Sequence, residues 1–280
     1  MTELRRKMIE DMRLHGLAAS TQQVYIDAIR ALAKHFGRSP DKISEEDIRQ
    51  FFVFLSETRK LAPATVRTHL FAIKFLYQRT LRRQWPTLNL VRVKRPKKLP
   101  TVLSPAEVWR LLDLVRRPAA RMCLIMMYSC GLRVSEATRL KAADIDSRRM
   151  VVCVRGGKGD KDRNVPLPTC TLELLREYWA KHRPTTWLFP AKDPSQPIRP
   201  GAVRKCLQAA LPEASIHKTV ACHTLRHSYA THLLEQGVNL RSIQALLGHR
   251  SCRTTFIYMH LTEATMQAIH GAVNGLMAKL

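Results

Sequence analysis

The chain has 280 residues, with 47 lysines and arginines against 22 acidic residues, which gives a formal charge of +25 at pH 7. This length accommodates two domains with separate cores. So large a positive surplus is typical of proteins that bind a polyanion, with nucleic acid the leading candidate and an anionic membrane surface the second. No apolar run is long enough for a transmembrane helix, the N-terminal residues lack a signal-peptide pattern, and the seven cysteines lack disulfide spacing. These features argue against a secreted or membrane-spanning protein and predict a cytoplasmic one.

The first part of the chain is predicted to form four helices. A first helix is expected near residues 3–15, and Ser20 begins a capping-box pattern ahead of an apolar helical stripe. Ser44 predicts the cap of a third helix, and Pro63 stands at the first position of a fourth. We expect these helices to form a compact domain that ends near Gln84.

A basic segment without acidic residues follows at residues 91–100, where five cations and two prolines occur. It can be a solvated tether or an extended strap along a phosphate backbone, and the overall charge favours the strap. Basic residues also exceed acidic ones on both sides of it, by 21 to 9 in residues 1–100 and by 26 to 13 in residues 101–280. Both parts of the chain are therefore expected to contact the polyanion. The strap contacts that we predict are Lys94, Arg95, Lys97 and Lys98.

The remainder is predicted to be a mainly helical domain with one small sheet. Ser104 and Pro105 restart helix with a capping box. Residues 150–154 and 164–167 predict two strands joined by a turn. Further helices are expected near residues 172–181, 202–210, 223–236, 240–247 and 262–277.

The second domain contains residue types suited to phosphodiester cleavage without water. That reaction needs a nucleophile, neutralisation of charge on the non-bridging oxygens, and an acid for the leaving oxygen. Arg133 and Arg226 are candidates for the charge neutralisation, since guanidinium groups form paired hydrogen bonds and stay protonated. Arg133 follows Gly131, where a helix is expected to end, so its side chain can point into a cleft.

Candidates for the other roles lie near these arginines in the sequence. Lys158 stands between two glycines at a predicted hairpin tip, where it could protonate a departing 5′-oxygen, although Lys161 is a competitor for that role. His223 shares a helix face with Arg226 and could accept a phenolic proton or bond a phosphate oxygen. Tyr258 supplies the phenol.

A zinc site is an alternative use of the same region. His223 and His227 are four residues apart, and Cys222 and His232 are near them in the sequence. However, no carboxylate stands at ligand spacing, and no HExxH motif or cysteine pair is present. We therefore favour a site without metal, with His227, His232 and His217 as packing or surface residues.

The second domain contains a set of motifs, which in chain order are GLRVSE, GGKGDKDR, HTLRHSYATHLLEQG, LLGHRS and the final tyrosine, Tyr258. This set resembles that of the tyrosine recombinase, or phage integrase, family, and most of all its Xer-type and mobile-element members. The resemblance covers essentially the whole chain. It implies a mainly α fold, with a four-helix, SAM-like core-binding domain (1–88), a basic linker (89–103), a helical catalytic domain with a small antiparallel sheet (104–261) and a C-terminal helix (262–280).

The resemblance also implies a mechanism and a set of site residues. Tyr258 would be the nucleophile that forms a 3′-phosphotyrosine and frees a 5′-hydroxyl, with no metal, ATP or other cofactor. Double-stranded DNA core sites would be held in a C-shaped clamp, and four protomers, or this protein with a related recombinase, would exchange strands. The residues that would activate the reaction are Arg133, Lys158, His223, Arg226 and His249.

Other residues of the motifs are expected to have supporting roles. Lys161 and Arg163 are expected to contact DNA together with the linker. Glu136 is expected to orient Arg133 or a neighbouring backbone group. The C-terminal helix could pack on its own domain, but the resemblance suggests that it docks on a neighbouring protomer.

Three other functions remain open at this point. The same chemistry could serve a type IB-like topoisomerase that nicks, swivels and reseals DNA, which would relax supercoils without joining partner sites. A degenerate site would give a non-catalytic DNA-binding regulator, which forms no covalent adduct. The histidines could instead belong to a metallonuclease, which a chelator would inactivate.

Overall fold

A computed structural model describes residues 2–90, 99–156 and 162–248 together with residue 255. The chain falls into two compact units, residues 1–98 and residues 99–280. Within the described ranges, no helix combines the length and apolar character needed to cross a bilayer.

The first unit is all helical over its described residues. A single 3-10 turn, Pro40–Lys42, precedes the third helix, and π-helical turns at Phe54–Thr58 and Phe75–Thr80 extend the third and fourth helices. The helices are α1 (Glu3–Leu14), α2 (Ala19–Phe36), α3 (Glu45–Val53), α4 (Pro63–Lys74) and α5 (Thr87–Leu90).

Local signals placed most of these helices correctly. The capping box at Ser44 is confirmed, since its side chain accepts from the backbone N–H of Asp47 and the Asp47 carboxylate accepts from the Ser44 N–H. Pro63 occupies the first turn of α4 as predicted. The prediction of a capping box at Ser20 is wrong, because α2 begins at Ala19, its N-cap residue is Ala18, and no side chain caps it.

The short helix α5 was not predicted. Its Leu88 is fully buried, and the Thr87 N–H donates to the Glu45 carboxylate at 2.8 Å. These two contacts attach residues beyond Gln84 to the four-helix core.

The second unit surrounds one apolar helix. Helix α7 is buried on almost every side, and it packs against α6, α8, α9, α10 and α11. Such all-round apolarity is typical of a central helix. The helices of this unit are α6 (Pro105–Asp113), α7 (Pro118–Ser129), α8 (Val134–Ala137), α9 (Thr169–His182), α10 (Pro200–Ala210), α11 (Cys222–Glu235) and α12 (Leu240–Leu247).

A three-stranded antiparallel sheet completes the described part of this unit. Its strands are β1 (Ile145–Asp146), β2 (Val151–Val154) and β3 (Arg163–Pro166), in the order β1-β2-β3. Val152 pairs with both Ile145 and Val165. The predicted mainly α fold with a small antiparallel sheet is confirmed, and β1 is an addition to it. The helix predicted at 262–277 lies outside the described residues.

Candidate active site

Arg133 stands at a sharp junction between two helices. Helix α7 ends at Ser129, and Gly131 takes the left-handed conformation with φ +62°. A Cβ at position 131 would come within 2.6 Å of ring carbons of Tyr229. Only glycine therefore fits, both by conformation and by space. The chain then extends at Arg133 and enters α8.

The carboxylate of Glu136 lies at the centre of the site. Arg133 donates from Nη1 to one of its oxygens at 2.7 Å, and its backbone N–H donates to the other at 2.8 Å. Arg163 donates from Nη1 and Nη2 to the two oxygens, at 3.0 and 2.8 Å. Arg226 places Nη1 3.9 Å from the same carboxylate. We call Arg133, Arg163 and Arg226 the arginine cluster.

The arginine cluster also holds the C-terminal end of α12. The carbonyl of Leu246 accepts from Nε of Arg163 at 2.9 Å, and the carbonyl of Leu247 accepts from Nη2 of Arg226. The carbonyl of Gly248 accepts from Nη2 of Arg133 at 3.3 Å. Carbonyls at a helix end lack intrahelical partners and carry partial negative charge, so cations stabilise them. The residue that follows these three carbonyls in the chain is His249.

The cluster carries more positive than negative charge. Burial alone would raise the pKa of Glu136, but hydrogen bonds from Arg163 and Arg133 outweigh it and lower that pKa to about 2. The carboxylate is therefore ionised at neutral pH. Three guanidinium charges against one carboxylate leave two positive charges, which favour binding of an anion such as a phosphate.

Two histidines of α11 lie beside the cluster. The rings of His223 and His227 meet edge to face, with 4.5 Å between their centroids. The pKa of His223 is lowered by desolvation and by the charges of Arg226 and Arg133, against an opposing effect of Glu136. Burial, with His223 and Arg226, lowers the pKa of His227 to about 4. Both imidazoles are therefore neutral at neutral pH, which leaves each ring able to accept a proton or a hydrogen bond.

The site residues differ in their access to solvent. His223 is exposed, and the side chain of Arg133 is 22% exposed. Arg226 is fully buried, and its Nη1 and Nη2 donate to the carbonyls of Gly131 and Leu247. An incoming anion therefore meets His223 and Arg133 at the surface, with the charge of Arg226 beneath them.

Comparison with protein families identifies the chain. Residues 101–265 match the model described as Phage integrase family, and residues 4–87 match the model described as Phage integrase, N-terminal SAM-like domain. The chain belongs to the phage integrase family. The resemblance found in the motifs is thereby confirmed, and the SAM-like match agrees with the helical first unit.

Relatives give the same result. A Sinorhizobium fredii protein that carries the name integrase/recombinase y4qK is 44% identical over 93% of this chain and 85% of its own length. Tyrosine recombinase XerD of Oceanobacillus iheyensis is 36% identical over 82% of each chain. The crystal structure of XerA recombinase has a TM-score of 0.56 at 26% identity and covers 97% of this chain and 98% of its own. A lambda integrase dimer bound to a core site has a TM-score of 0.74 at 16% identity over 92% and 94%, and shows a shared fold.

Within this phage integrase fold, the structure brings together three of the six predicted catalytic candidates. Arg133 and Arg226 converge on Glu136, and His223 lies near enough for the charges of all three to affect its pKa. The other three candidates, and most of the predicted DNA contacts, lie outside the described residues. These are Lys158, His249, Tyr258, Lys94, Arg95, Lys97, Lys98 and Lys161.

Arg163, which was predicted to contact DNA, has its partners within the described part of the protein. Its side chain is 12% exposed and is bound to Glu136 and Leu246. The predicted strand began at residue 164, whereas β3 begins one residue earlier, at Arg163. Side chains alternate between the faces of a strand, so Arg163 shares its face with the buried Val165. Glu136 was expected to orient Arg133 or a neighbouring backbone group, and its carboxylate in fact lies against all three arginines of the cluster.

Two of the histidines that were expected at packing or surface positions lie within the described residues. His232 Nδ1 lies 2.9 Å from the hydroxyl of Tyr128, and His217 is exposed. Among the described residues, no group of three or more histidine, cysteine, aspartate and glutamate side chains is arranged to hold a metal ion.

Proposed function

We propose that this tyrosine recombinase cuts and rejoins duplex DNA at specific sites through a 3′-phosphotyrosine at Tyr258. The observation that supports this most is the convergence of Arg133 and Arg226 on one carboxylate, with His223 beside them. Such an excess of fixed positive charge suits the pentacoordinate phosphorus that forms during phosphodiester cleavage. His249 and Tyr258 follow α12, whose last turn the arginine cluster holds.

The proposed reaction balances without a cofactor. The phenolic oxygen of Tyr258 attacks phosphorus while its proton passes to the neutral imidazole of His223. The bond from phosphorus to the 5′-oxygen breaks, and Lys158 protonates that oxygen as it leaves. Arg133 and Arg226 stabilise the negative charge on the non-bridging oxygens. Because the new phosphotyrosine ester replaces the old phosphodiester, a 5′-hydroxyl of a second strand can reverse the reaction without ATP.

The substrate and assembly follow from charge and family. The lambda integrase dimer of similar fold is bound to a core site, and the +25 charge of this chain suits a duplex partner. We propose double-stranded core sites as the substrate. A tetramer of this chain, or of this chain with a related recombinase, would join two such sites in integration or resolution of mobile or replicating DNA.

Cleavage is expected to proceed in excess EDTA. The proposed site takes its positive charge from arginine and lysine side chains and needs no metal. The measurement is the yield of denaturation-resistant protein–DNA adduct on a nicked suicide substrate, with and without chelator. If the chelator abolishes the adduct and added zinc or magnesium restores it, the proposal is contradicted and His223 and His227 are again candidates for metal ligands.

Binding is expected to weaken steeply with salt, in part through the linker. Each phosphate contact contributes about 0.9 to the slope of log K against log salt, so neutralising four linker cations should reduce the slope by up to about 3.6. The test variant changes Lys94, Arg95, Lys97 and Lys98 to glutamine. Its matched control exchanges lysine and arginine at the same four positions and keeps the charge. If both proteins show the wild-type slope, the linker is only a tether.

A further inference from the structure

Arg163 belongs to the second unit's sheet through its backbone, but its side chain forms its hydrogen bonds outside the sheet. It is the first residue of β3, and its guanidinium reaches both oxygens of Glu136, at 3.0 and 2.8 Å. Its Nε donates to the carbonyl of Leu246 at 2.9 Å. The side chain of Arg163 therefore links the sheet to Glu136 of α8 and to the C-terminal end of α12.

The geometry leaves Arg163 poorly placed to bind a phosphate. Each of its three guanidinium nitrogens donates to a protein oxygen, and the side chain is 12% exposed. A phosphate would have to displace Glu136, whose burial makes separation from its partner costly. Arg133, by contrast, is 22% exposed on the same carboxylate.

We propose that Arg163 is a positioning residue for strand cleavage, acting through Glu136 and the last turn of α12 and not through contact with DNA. The inference rests on the proposed function. Arg163 fixes the carboxylate that orients the guanidinium of Arg133, and it fixes the carbonyl two residues before Gly248. It thereby aligns a phosphate-binding side chain with the segment that begins at His249.

Gly248 gives independent support for this role. It has φ +60°, and a Cβ there would lie 3.2 Å from Cδ of Arg163 and 3.4 Å from Nε and Nη1. The backbone of the turn therefore passes directly over the Arg163 side chain. This close approach places the guanidinium of Arg163 beside the turn as well as within hydrogen-bond reach of the Leu246 carbonyl.

The test separates positioning from charge with two substitutions. Arg163→Gln removes the charge, whereas Arg163→Lys keeps it but cannot bridge a carboxylate and a carbonyl with a planar group. The measurements are the salt slope of DNA binding and the single-turnover rate of adduct formation at saturating DNA. We expect both variants to keep the wild-type slope and to cleave about 100-fold more slowly, as small misplacements in an active site do.

The matched control is Arg155→Gln, and a double variant tests the route. Arg155 lies just after β2 on the same hairpin and is paired with Asp144 at 3.0 Å, away from Glu136. Its substitution should leave the chemical rate within about twofold of wild type, because the side chain of Arg155 is 69% exposed and its charge is screened by water. Arg163→Gln combined with Glu136→Gln should be no slower than the slower single variant, since residues acting through one contact are not additive. If Arg163→Gln unfolds, Arg163→Lys still tests the inference, because it keeps a positive charge beside Glu136.

Three outcomes would overturn the inference. A wild-type rate in Arg163→Lys, with a slope reduced by about 0.9 in Arg163→Gln, would make Arg163 a phosphate contact. If the rate losses of the two single variants multiply in the double variant, Arg163 acts independently of Glu136. If the rate of adduct formation in the Arg163 variants falls only in proportion to the fraction of folded protein, the role of Arg163 is purely structural. A wild-type protein that forms no adduct would instead overturn the proposed function, and with it the reaction that Arg163 serves.

Discussion

Tyr258→Phe is expected to abolish the covalent protein–DNA adduct while DNA binding stays at the wild-type level. The substitution removes only the phenolic oxygen, which is the proposed nucleophile, and keeps the ring. The substitution leaves the arginine cluster and the +25 charge of the chain unchanged. The measurements are a mobility shift for binding and a denaturing gel for the adduct on a nicked suicide substrate.

Tyr229→Phe is the matched control for this variant. Tyr229 is a tyrosine of α11 whose ring packs against Gly131, and phenylalanine keeps that packing. Burial, with a smaller contribution from Cys130, raises the pKa of Tyr229 to about 12, although Arg226 opposes the shift. Such a phenol is a poor nucleophile, so this variant should still form the adduct. An adduct that survives Tyr258→Phe and disappears in Tyr229→Phe would reverse the assignment.

Glu136→Gln is expected to destabilise the second unit by on the order of 3 kcal/mol at pH 7. The side chain is 6% exposed, and its loss of charge leaves the arginine cluster without its shared carboxylate. The pKa of Glu136 is lowered to about 2 from 4.5. The stabilisation is therefore complete above about pH 4.5 and is lost as the pH falls toward 2.

Denaturant unfolding at several pH values tests this prediction. Tryptophan fluorescence reports mainly on the second unit, which contains Trp109, Trp179 and Trp187, three of the four tryptophans. The difference between wild type and Glu136→Gln should shrink steadily as the pH is lowered below 4.5. A difference that stays constant with pH would show that the charge of Glu136 contributes no stability.

The control for Glu136 is an ion pair with a similar distance between nitrogen and oxygen but with much greater exposure to solvent. Glu213 lies 2.8 Å from Arg116, but the two side chains are 46% and 85% exposed. Glu213→Gln should cost less than about 1 kcal/mol, because exposed ion pairs are screened by water. Equal losses in the two variants would mean that burial does not strengthen the pair at Glu136.

Much of the helical structure could be predicted because its signals are local. Ser44 with Asp47 and Ser104 with Glu107 both form capping boxes, in which the partners are three residues apart. Ser20 shows the limit of such signals. The side chain of Gln22 donates to the Leu17 carbonyl at 2.7 Å, and the helix begins at Ala19, before the predicted cap. The residue at which a helix begins depends also on contacts with the preceding residues, such as Leu17 here, and a capping pattern gives no information on those contacts.

The sequence by itself determined the family, the helical character of both units and the residue types available for catalysis. The tertiary structure decided which of those residues meet. Glu136 and Arg163 are 27 residues apart, and Arg133 and the Gly248 carbonyl are 115 apart. Their contacts depend on α11 packing against α7 and on α12 packing against β3. The sequence predicts a strand that begins just after Arg163, but only the packed core shows that this cation binds Glu136 and the end of α12.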